Sequence, residues 1–575
     1  MVIATTEARF AQTMVTARGG MVTANQRLAA EAGAGILARG GNAVDAAIAT
    51  AFAVGVVEPA MSGIGGRGYM VIHQPETGTS LVIDGHERAP RAARPDMFAI
   101  QSDAEVLTSG WGSQALVVDQ ANAVGHQAVA VPGVLAALGV AHRRFGRLPW
   151  RALLEPAIAL AAEGFTVTVP LATTIARSRA KLARFPATAA IFLPNGCPPV
   201  PGERLAQPDL ARSLGRIAAE GIAAFYTGAL ARAIVAEIER GGGILTLDDL
   251  AAFQPRIWDR PLTGSYRGYC LLTVPEATGG ITILQIMNLL EGFDLAALDP
   301  DGPHALHLLL EAMRIAFADR LAVIEDPAFA PVPFAGLASK EFAALRRQTI
   351  APDRARETVS PADPWPFDDV GREVMPRGET APWDAHDTDT THFCVVDGAH
   401  TVVAMTQSII DAFGSGVVVP GAGFLLNSAM HNFNPIAGRR GEIAPWKRSA
   451  HNGAPTIVLR EDGTPYLAAG GAGGTKVITG VVQMLVNRID RGWTMQEAVA
   501  APRVHNEGGL SEIDAQFPPI TVNALRDLGH RLEVIRPTFA SPGFSRVNAI
   551  AVDETGALTS GIDVFTDAGA AGLEM

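Results

Sequence analysis

The sequence predicts an α+β fold, an αββα sandwich in which helices cover the outer faces of two stacked antiparallel sheets. Three observations predict it. Apolar residues recur at helical spacing over 25–57 and through most of 131–345; valine-rich runs dominate beyond position 390; and an acidic, proline-rich stretch, 351–389, separates the two regimes. At 575 residues the chain is too long for one simple core, so several cores or one large layered fold are expected.

The first two helices lie within 25–57, separated by Gly40-Gly41-Asn42, where the glycines suit a helix end and Asn42 suits an N-cap. A glycine run follows, Ser62-Gly63-Ile64-Gly65-Gly66-Arg67-Gly68, then strands near 70–73 and 80–83. A helix precedes this run and a strand follows it, the reverse of a dinucleotide-binding fingerprint, so no nucleotide site is expected there. Helical spacing is clear at 153–162, 209–219 and 304–322. The 351–389 stretch holds six prolines and many acids and reads as an exposed connector. Beyond it, strands are expected at 392–396, 401–406 and 456–459, a helix at 476–487, and strands at 531–535, 547–552 and the C-terminal end.

Composition narrows the function. Hydrophobic residues make up 48% and charged residues 18%, which is globular rather than disordered. A net charge of −12, without any lysine/arginine-rich run, argues against nucleic acid as a partner. The longest apolar segment, 43–57, is alanine-rich and contains Asp45, so it reads as a buried helix rather than a membrane span. The N-terminal segment has no continuous apolar core and does not read as a signal peptide; a soluble cytoplasmic protein is expected. Cys197, Cys270 and Cys394 are far apart and form no CxxC pair, which speaks against a disulfide framework or a thiolate zinc site. The histidines lack metal-ligand spacing, and no metal or cofactor is expected.

The stretch that carries chemistry is Asp389-Thr390-Thr391-His392-Phe393, opening a strand directly after the connector. Breaking the Asp389–Thr390 bond would free an α-amine beside the Thr390 hydroxyl, placing base and nucleophile on one residue. An α-amine has a pKa of about 7.7–8.0, so it is partly neutral at pH 7 and can accept the hydroxyl proton. These residues point to an N-terminal-nucleophile hydrolase made as an inactive precursor. Cleavage would give a large fragment, 1–389, and a small fragment, 390–575, that begins with the threonine.

Further landmarks stand in order along nearly the whole chain. They are Gly40-Gly41-Asn42-Ala43-Val44-Asp45-Ala46, Glu58-Pro59, Val131-Pro132-Gly133, Leu153-Leu154-Glu155-Pro156-Ala157 and Glu311-Ala312-Met313-Arg314. Phe413-Gly414-Ser415-Gly416-Val417, Leu425-Leu426-Asn427 and Gly473-Gly474 complete the set. With the glycine run and the Thr390 stretch, they resemble the γ-glutamyltranspeptidase family. The resemblance implies autocatalytic cleavage before Thr390, with the two fragments of one precursor staying associated. It implies that Thr390 attacks a substrate amide and passes the acyl group to water or an amine. It also implies that Gly473 and Gly474 supply backbone N–H groups to the oxyanion, and that Ser408 takes the place of a second threonine that hydrogen-bonds the nucleophile. A serine keeps that bond.

The substrate contacts depart from the family pattern. An arginine for the donor α-carboxylate is expected in Asp84-Gly85-His86-Glu87-Arg88-Ala89-Pro90, where His86 holds the slot and Arg88 stands two residues on. An expected asparagine is Ile410, the residues that bind the substrate ammonium become Ala429 and Asn432, and the paired serines become His451 and Asn452. Arg67 stands where the family usually has glycine. An unpaired buried charge is costly, so without an aspartate at position 432 a free α-amino group on the acyl part is disfavoured. His86, Arg88, Arg67 and His451 remain to hold a carboxylate or carbonyl oxygen, with His86 and Arg88 on one face if the strand continues through them. The expected substrate is a small carboxylate-bearing amide, glutaryl-type or oxamate-type. The segment 434–447 lies where many family members have a longer lid loop, which implies a more open cleft.

Two other functions compete. A γ-glutamyltransferase or glutathione hydrolase with rearranged donor contacts would require the α-amine. An uncleaved, non-catalytic binding protein would keep the fold without the chemistry; joint retention of Thr390, Ser408, Gly473 and Gly474 speaks against it. The sequence leaves open whether the protein forms a homo-oligomer.

Overall fold

A computed structural model describes residues 14–101, 107–109, 112–114, 117–368, 389–539 and 541–574. Two seven-stranded antiparallel sheets form its centre. The first runs Gly569–Leu573, Gly20–Ala24, Asp389–Asp397, Val402–Ile410, Arg67–Gln74, Thr79–Gly85 and Arg256–Trp258. The second runs Thr16–Ala17, Leu558–Ile562, Arg546–Val552, Pro465–Ala472, Thr456–Leu459, Tyr269–Thr273 and Leu262–Tyr266.

Period-two alternation builds the layers. Tyr69, Val71, Cys394, Val396, Val402 and Ala404 of the first sheet pack with Ile457, Ala468, Ile550 and Leu558 of the second, forming a core between the sheets. Their neighbours Met70, Ile72, Phe393, Val395, Val403 and Met405 point outward, into a cluster with helices Arg27–Ala38, Ala43–Val57, Val134–Phe145 and Trp150–Glu163. Val458, Leu467, Ala469, Val547 and Ala549 face the opposite way, against helices Gly279–Leu290, Pro303–Val323 and Lys476–Ile489. Each fully buried Val, Leu or Ile side chain contributes about 1.5–3 kcal/mol. The expected αββα sandwich is the observed one.

Local signals place the elements. Asn42 caps Ala43–Val57 in a capping box with Asp45, and that carboxylate also accepts from the N–H groups of Arg147 and Leu148. Buried on nearly every side, Ala43–Val57 is a core helix. In the glycine run, a Cβ on Gly66 would stand 2.2 Å from the Ser408 carbonyl oxygen, so glycine there lets the run lie against the strand that carries Ser408.

Two expectations need correction. The mostly helical 131–345 region also supplies Arg256–Trp258, Leu262–Tyr266 and Tyr269–Thr273, which close both sheets at one edge. The connector is not wholly exposed: His307 donates to the Ala351 carbonyl, Arg346 to that of Ser360, and the Ala362 N–H to Asp319, while Trp365 is buried. Positions 369–388 lie outside the described residues.

Candidate active site

Strand Asp389–Asp397 begins with a bulge. Asp389 pairs with Ile410 and Thr391 with Gln407, so the register slips across Thr390. Ile410 lies at φ 83°, a left-handed conformation that a β-branched residue rarely adopts. The turn brings the Ile410 N–H to the Ser408 Oγ at 2.8 Å, and the Thr390 hydroxyl donates to the same oxygen at 3.3 Å. The Thr390 carbonyl accepts from Arg546 Nη2 at 3.1 Å, and Arg546 Nη1 stands 3.8 Å from Glu58.

Gly473 and Gly474 follow strand Pro465–Ala472 and precede helix Lys476–Ile489. Their φ angles, 123° and 58°, are both in the left-handed half of the map, which glycine adopts without strain. The pair therefore presents its backbone just ahead of a helix N-terminus, where the helix dipole favours developing negative charge.

A cavity of about 20 Å³ opens at Thr390, lined by Arg67, Tyr69, Ser408, Asn432, His451, Asn452 and Gly474 among others; none of the described lining residues is a carboxylate. Arg67 donates to Glu87 at 2.8 Å; with the Asn432 amide oxygen turned toward it, Arg67 also donates to Asn432 at 3.0 and 3.2 Å. Burial pushes the Glu87 carboxyl up, but Arg67 and then His86 outweigh it and hold the group at about 2. His451 stacks on Tyr69 at 4.0 Å between ring centroids, and Arg320 donates to the His451 carbonyl at 2.9 Å. Burial, then His86, Arg67, Arg320 and Arg448, drive the His451 imidazole well below its ordinary value. The ring is therefore neutral, and Arg67, paired with Glu87, is the cationic side chain on the cavity wall.

Not every expected contact is in place. His86 is buried behind the cavity, edge-on to His451 at 4.7 Å, with its backbone N–H donating to Asp84. Arg88 is turned away: it donates to the Trp446 carbonyl at 2.9 Å and lies against that ring. The strand ends at Gly85, so strand alternation does not extend to positions 86 and 88. Ile410 and Ala429 are buried in an apolar cluster with Phe98, Met430, Phe433 and Ile443, outside the lining of the cavity. Segment 434–447 packs on Ala89, Val323 and Glu325 and contributes no lining residue to the cavity. Glu58 and Glu87 stood within quoted landmarks without a role assigned to them, and Arg320 and Arg546 were not singled out from sequence, because their partners are remote. His392, although in the Thr390 stretch, is buried between the sheets on Thr406 and Cys394, and burial holds it at about 3.

A second, larger cavity of about 720 Å³ lies next to the first. Gly473 and Arg546 line it, whereas Gly474 lines the smaller one, so the glycine pair stands between them. His431 on its wall is held by Asp411 at 3.0 Å, and Asp411 also accepts from Ser428.

The family model described as Gamma-glutamyltranspeptidase matches residues 29–573. The chain belongs to the γ-glutamyltranspeptidase family. It is an N-terminal-nucleophile amidohydrolase. An acylase ACY 1 proenzyme of Pseudomonas sp. strain V22 is 42% identical to it over 95% of this chain and 92% of the relative. A glutathione hydrolase proenzyme of Bacillus subtilis strain 168 is 35% identical over 89% and 85%. Among solved structures, a cephalosporin acylase from Bacillus halodurans superposes with a TM-score of 0.86 at 30% identity, covering 100% of both chains. Within the γ-glutamyltranspeptidase family, then, this chain resembles both acylases and glutathione hydrolases.

Proposed function

We propose that the chain is an autoprocessed acylase whose nucleophile is Thr390 and whose acyl donor is a short amide bearing a carboxylate and no α-amine. One observation carries this: the cavity at Thr390 has Arg67 on its wall and no carboxylate among its described lining residues. The likeness to acylases supports the same reading. The polar lining of Arg67, Asn432, His451 and Asn452 supports an acyl group that ends in a carboxylate or carbonyl oxygen, oxamate-type or glutaryl-type.

In maturation, the Thr390 hydroxyl attacks the Asp389 carbonyl, the acyl group shifts from N to O, and water opens the ester. The products are an Asp389 carboxylate and a free Thr390 α-amine. Both sheets combine strands from before and after position 390, which supports 1–389 and 390–575 remaining one body after cleavage. In turnover, the α-amine takes the hydroxyl proton as Thr390 attacks the substrate carbonyl. Gly473 and Gly474 N–H groups meet the oxyanion, the amine leaves with the proton, and water or another amine takes the acyl group. An oxyanion donor of this kind contributes about 2.7–4 kcal/mol.

The test is side-by-side hydrolysis of glutaryl-, oxalyl- and γ-glutamyl-anilide by matured enzyme, with maturation confirmed by mass. Preference for an amine-free donor is expected, and Thr390→Ala abolishes both cleavage and turnover. Preference for γ-glutamyl would overturn the acyl assignment and favour a glutathione hydrolase-like activity; cleavage elsewhere would overturn the nucleophile.

A further inference from the structure

The two sheets meet mostly through apolar side chains, but at the Thr390 end they meet through polar ones. Strand Gly20–Ala24 pairs with positions 393–397 of the Thr390 strand and stops at Phe393 opposite Ala24, while Val402–Ile410 pairs along the other side. The carbonyls of Thr390 and His392, beyond that stop, are taken by side chains of the second sheet. Arg546 Nη2 donates to Thr390 at 3.1 Å, and Asn548 Nδ2 donates to His392 at 2.8 Å. The donors stand two residues apart on Arg546–Val552 and the acceptors two residues apart on Asp389–Asp397, so one period of each strand is matched between the sheets.

Further bonds fix the donors. Thr23 donates to Asn548 Oδ1 at 2.9 Å, and Asn548 Nδ2 also donates to Asn25 at 3.0 Å. Asn548 is fully buried, so water cannot replace these bonds. The same strand pairs Arg546 with Ala472 and Asn548 with Gly470, and Ala472 directly precedes Gly473 and Gly474. A Cβ on Gly470 would stand 2.3 Å from the His392 ring, so glycine there lets the two sheets approach. Arg546 and Asn548 thus tie the strand that begins at Thr390 to the strand that leads into the glycine pair.

Cleavage raises the demand on this contact. It turns Thr390 into a chain end, and a chain end frays unless it is tied down. The Arg546 guanidinium is always charged. At 3.1 Å from the Thr390 carbonyl oxygen, it lies no more than about 7 Å from the α-amine, given backbone bond lengths. A cation there disfavours the ammonium form and leaves the nitrogen lone pair available for the hydroxyl proton. Glu58, 3.8 Å from Arg546 Nη1, opposes the effect; Arg67 on the cavity wall is paired with Glu87, and His451 is neutral. We infer that Arg546 and Asn548 are positioning residues that clamp the Thr390 strand to the oxyanion strand, and that Arg546 also holds the freed α-amine in its basic form. The inference deepens the proposed function and rests on Thr390 as nucleophile.

The test follows the α-amine and turnover on the same matured preparations. Acetylation of the residue-390 α-amine across a pH series, read as the mass of the small fragment's first peptide, gives the titration midpoint of that amine. In wild type it is expected below the ordinary value of about 7.7–8.0. Arg546→Gln raises it by about one pH unit, Arg546→Lys leaves it close to wild type, and Asn548→Ala, which removes no charge, leaves it unchanged. On the anilide that wild type turns over best, Arg546→Gln and Asn548→Ala each lower kcat by about tenfold to a hundredfold. KM stays within about twofold, because neither side chain lines the smaller cavity. Arg546→Gln/Glu58→Gln is run alongside, since removing the cation alone leaves an acid near Thr390; the midpoint rises there too, by less. A midpoint unmoved in Arg546→Gln and in the double variant, or an unchanged kcat in Asn548→Ala, would overturn the assignment. A small fragment beginning at another residue would overturn Thr390 as nucleophile, and this inference with it; mass alone reveals that before any titration.

Discussion

Arg67 and Asn432 are joined across the Thr390 cavity, the amide oxygen accepting from Nη1 at 3.0 Å and Nη2 at 3.2 Å. An aspartate at 432 would find a guanidinium already in place and be neutralised by it. Under the proposed acyl specificity, the two residues work as a unit in place of an ammonium site. Asn432→Asp alone should change the γ-glutamyl to glutaryl ratio by less than about threefold, whereas Asn432→Asp with Arg67→Gly should raise it by about tenfold or more, a coupling within the usual range for touching residues. Kinetics of the four enzymes on both anilides check this; additive effects would break the link.

Arg67 also neutralises Glu87, which is almost fully buried. Arg67→Gly alone should destabilise the protein by about 3–5 kcal/mol, because it strands a buried carboxylate. Adding Glu87→Gln should recover a large part of that loss. Thermal melts of the single and double variants measure it, and no recovery would mean that Arg67 acts through packing instead.

Ser408 accepts two hydrogen bonds, from Thr390 and from the Ile410 N–H. Ser408→Ala leaves that buried N–H unsatisfied, at about 1–3 kcal/mol, and removes the hydroxyl bonded to Thr390, the proposed nucleophile. Maturation should slow by about tenfold to a hundredfold, read as decay of the precursor band, while Ser408→Thr keeps the oxygen and stays close to wild type. An unchanged precursor half-life in Ser408→Ala would exclude an orienting role.

Much of this site was legible in the sequence, and the failures have physical causes. Thr390 stands where composition shifts from connector to strand, whereas Ser408 and the glycine pair came only from the family resemblance. Arg67 and Asn432 stood out as departures from a pattern, but their mutual hydrogen bond did not, because 365 positions separate them (432 − 67). Arg546 reaches the Thr390 carbonyl from 156 residues away, and Arg320 reaches His451 from 131. Buried charges of this kind carry no local period. Arg88 was misplaced for a different reason: Asp84 accepts from the His86 N–H at 2.8 Å, which turns the chain out of the strand. In Leu262–Tyr266, a glycine and a serine dilute the strand pattern that the fold nevertheless uses.

Gly473 and Gly474 should respond differently to alanine. At φ 58°, Gly474 lies where alanine is strained by about 1–2 kcal/mol; at φ 123°, Gly473 lies outside what alanine readily adopts. Gly474→Ala should fold and lose turnover by about tenfold to a thousandfold through a displaced N–H. Gly473→Ala should lose stability as well. Melting temperature and kcat on the same preparations separate the two effects, and equal stability loss would contradict the backbone geometry.

Asp411 and His431 make stability depend on pH from both sides. Burial pushes the Asp411 carboxyl up, but His431, then Lys181 and Ser428, hold it down at about 2. A carboxylate depressed on folding contributes stability above its unfolded value of about 3.9 and loses it as pH falls through 2. Burial pulls the His431 imidazole down, but Asp411 outweighs it and leaves the group raised. A raised imidazole contributes in full below its unfolded value of about 6.5 and loses that contribution as pH rises through the folded value. The pair is therefore fully effective between about pH 4 and 6.5. His431→Gln should destabilise by about 1–3 kcal/mol within that window, and the gap to wild type should narrow as pH rises beyond it. Melting curves of both proteins from pH 4 to 9 decide the matter, and a gap that stays constant or widens at alkaline pH would show that His431 is held as the neutral ring.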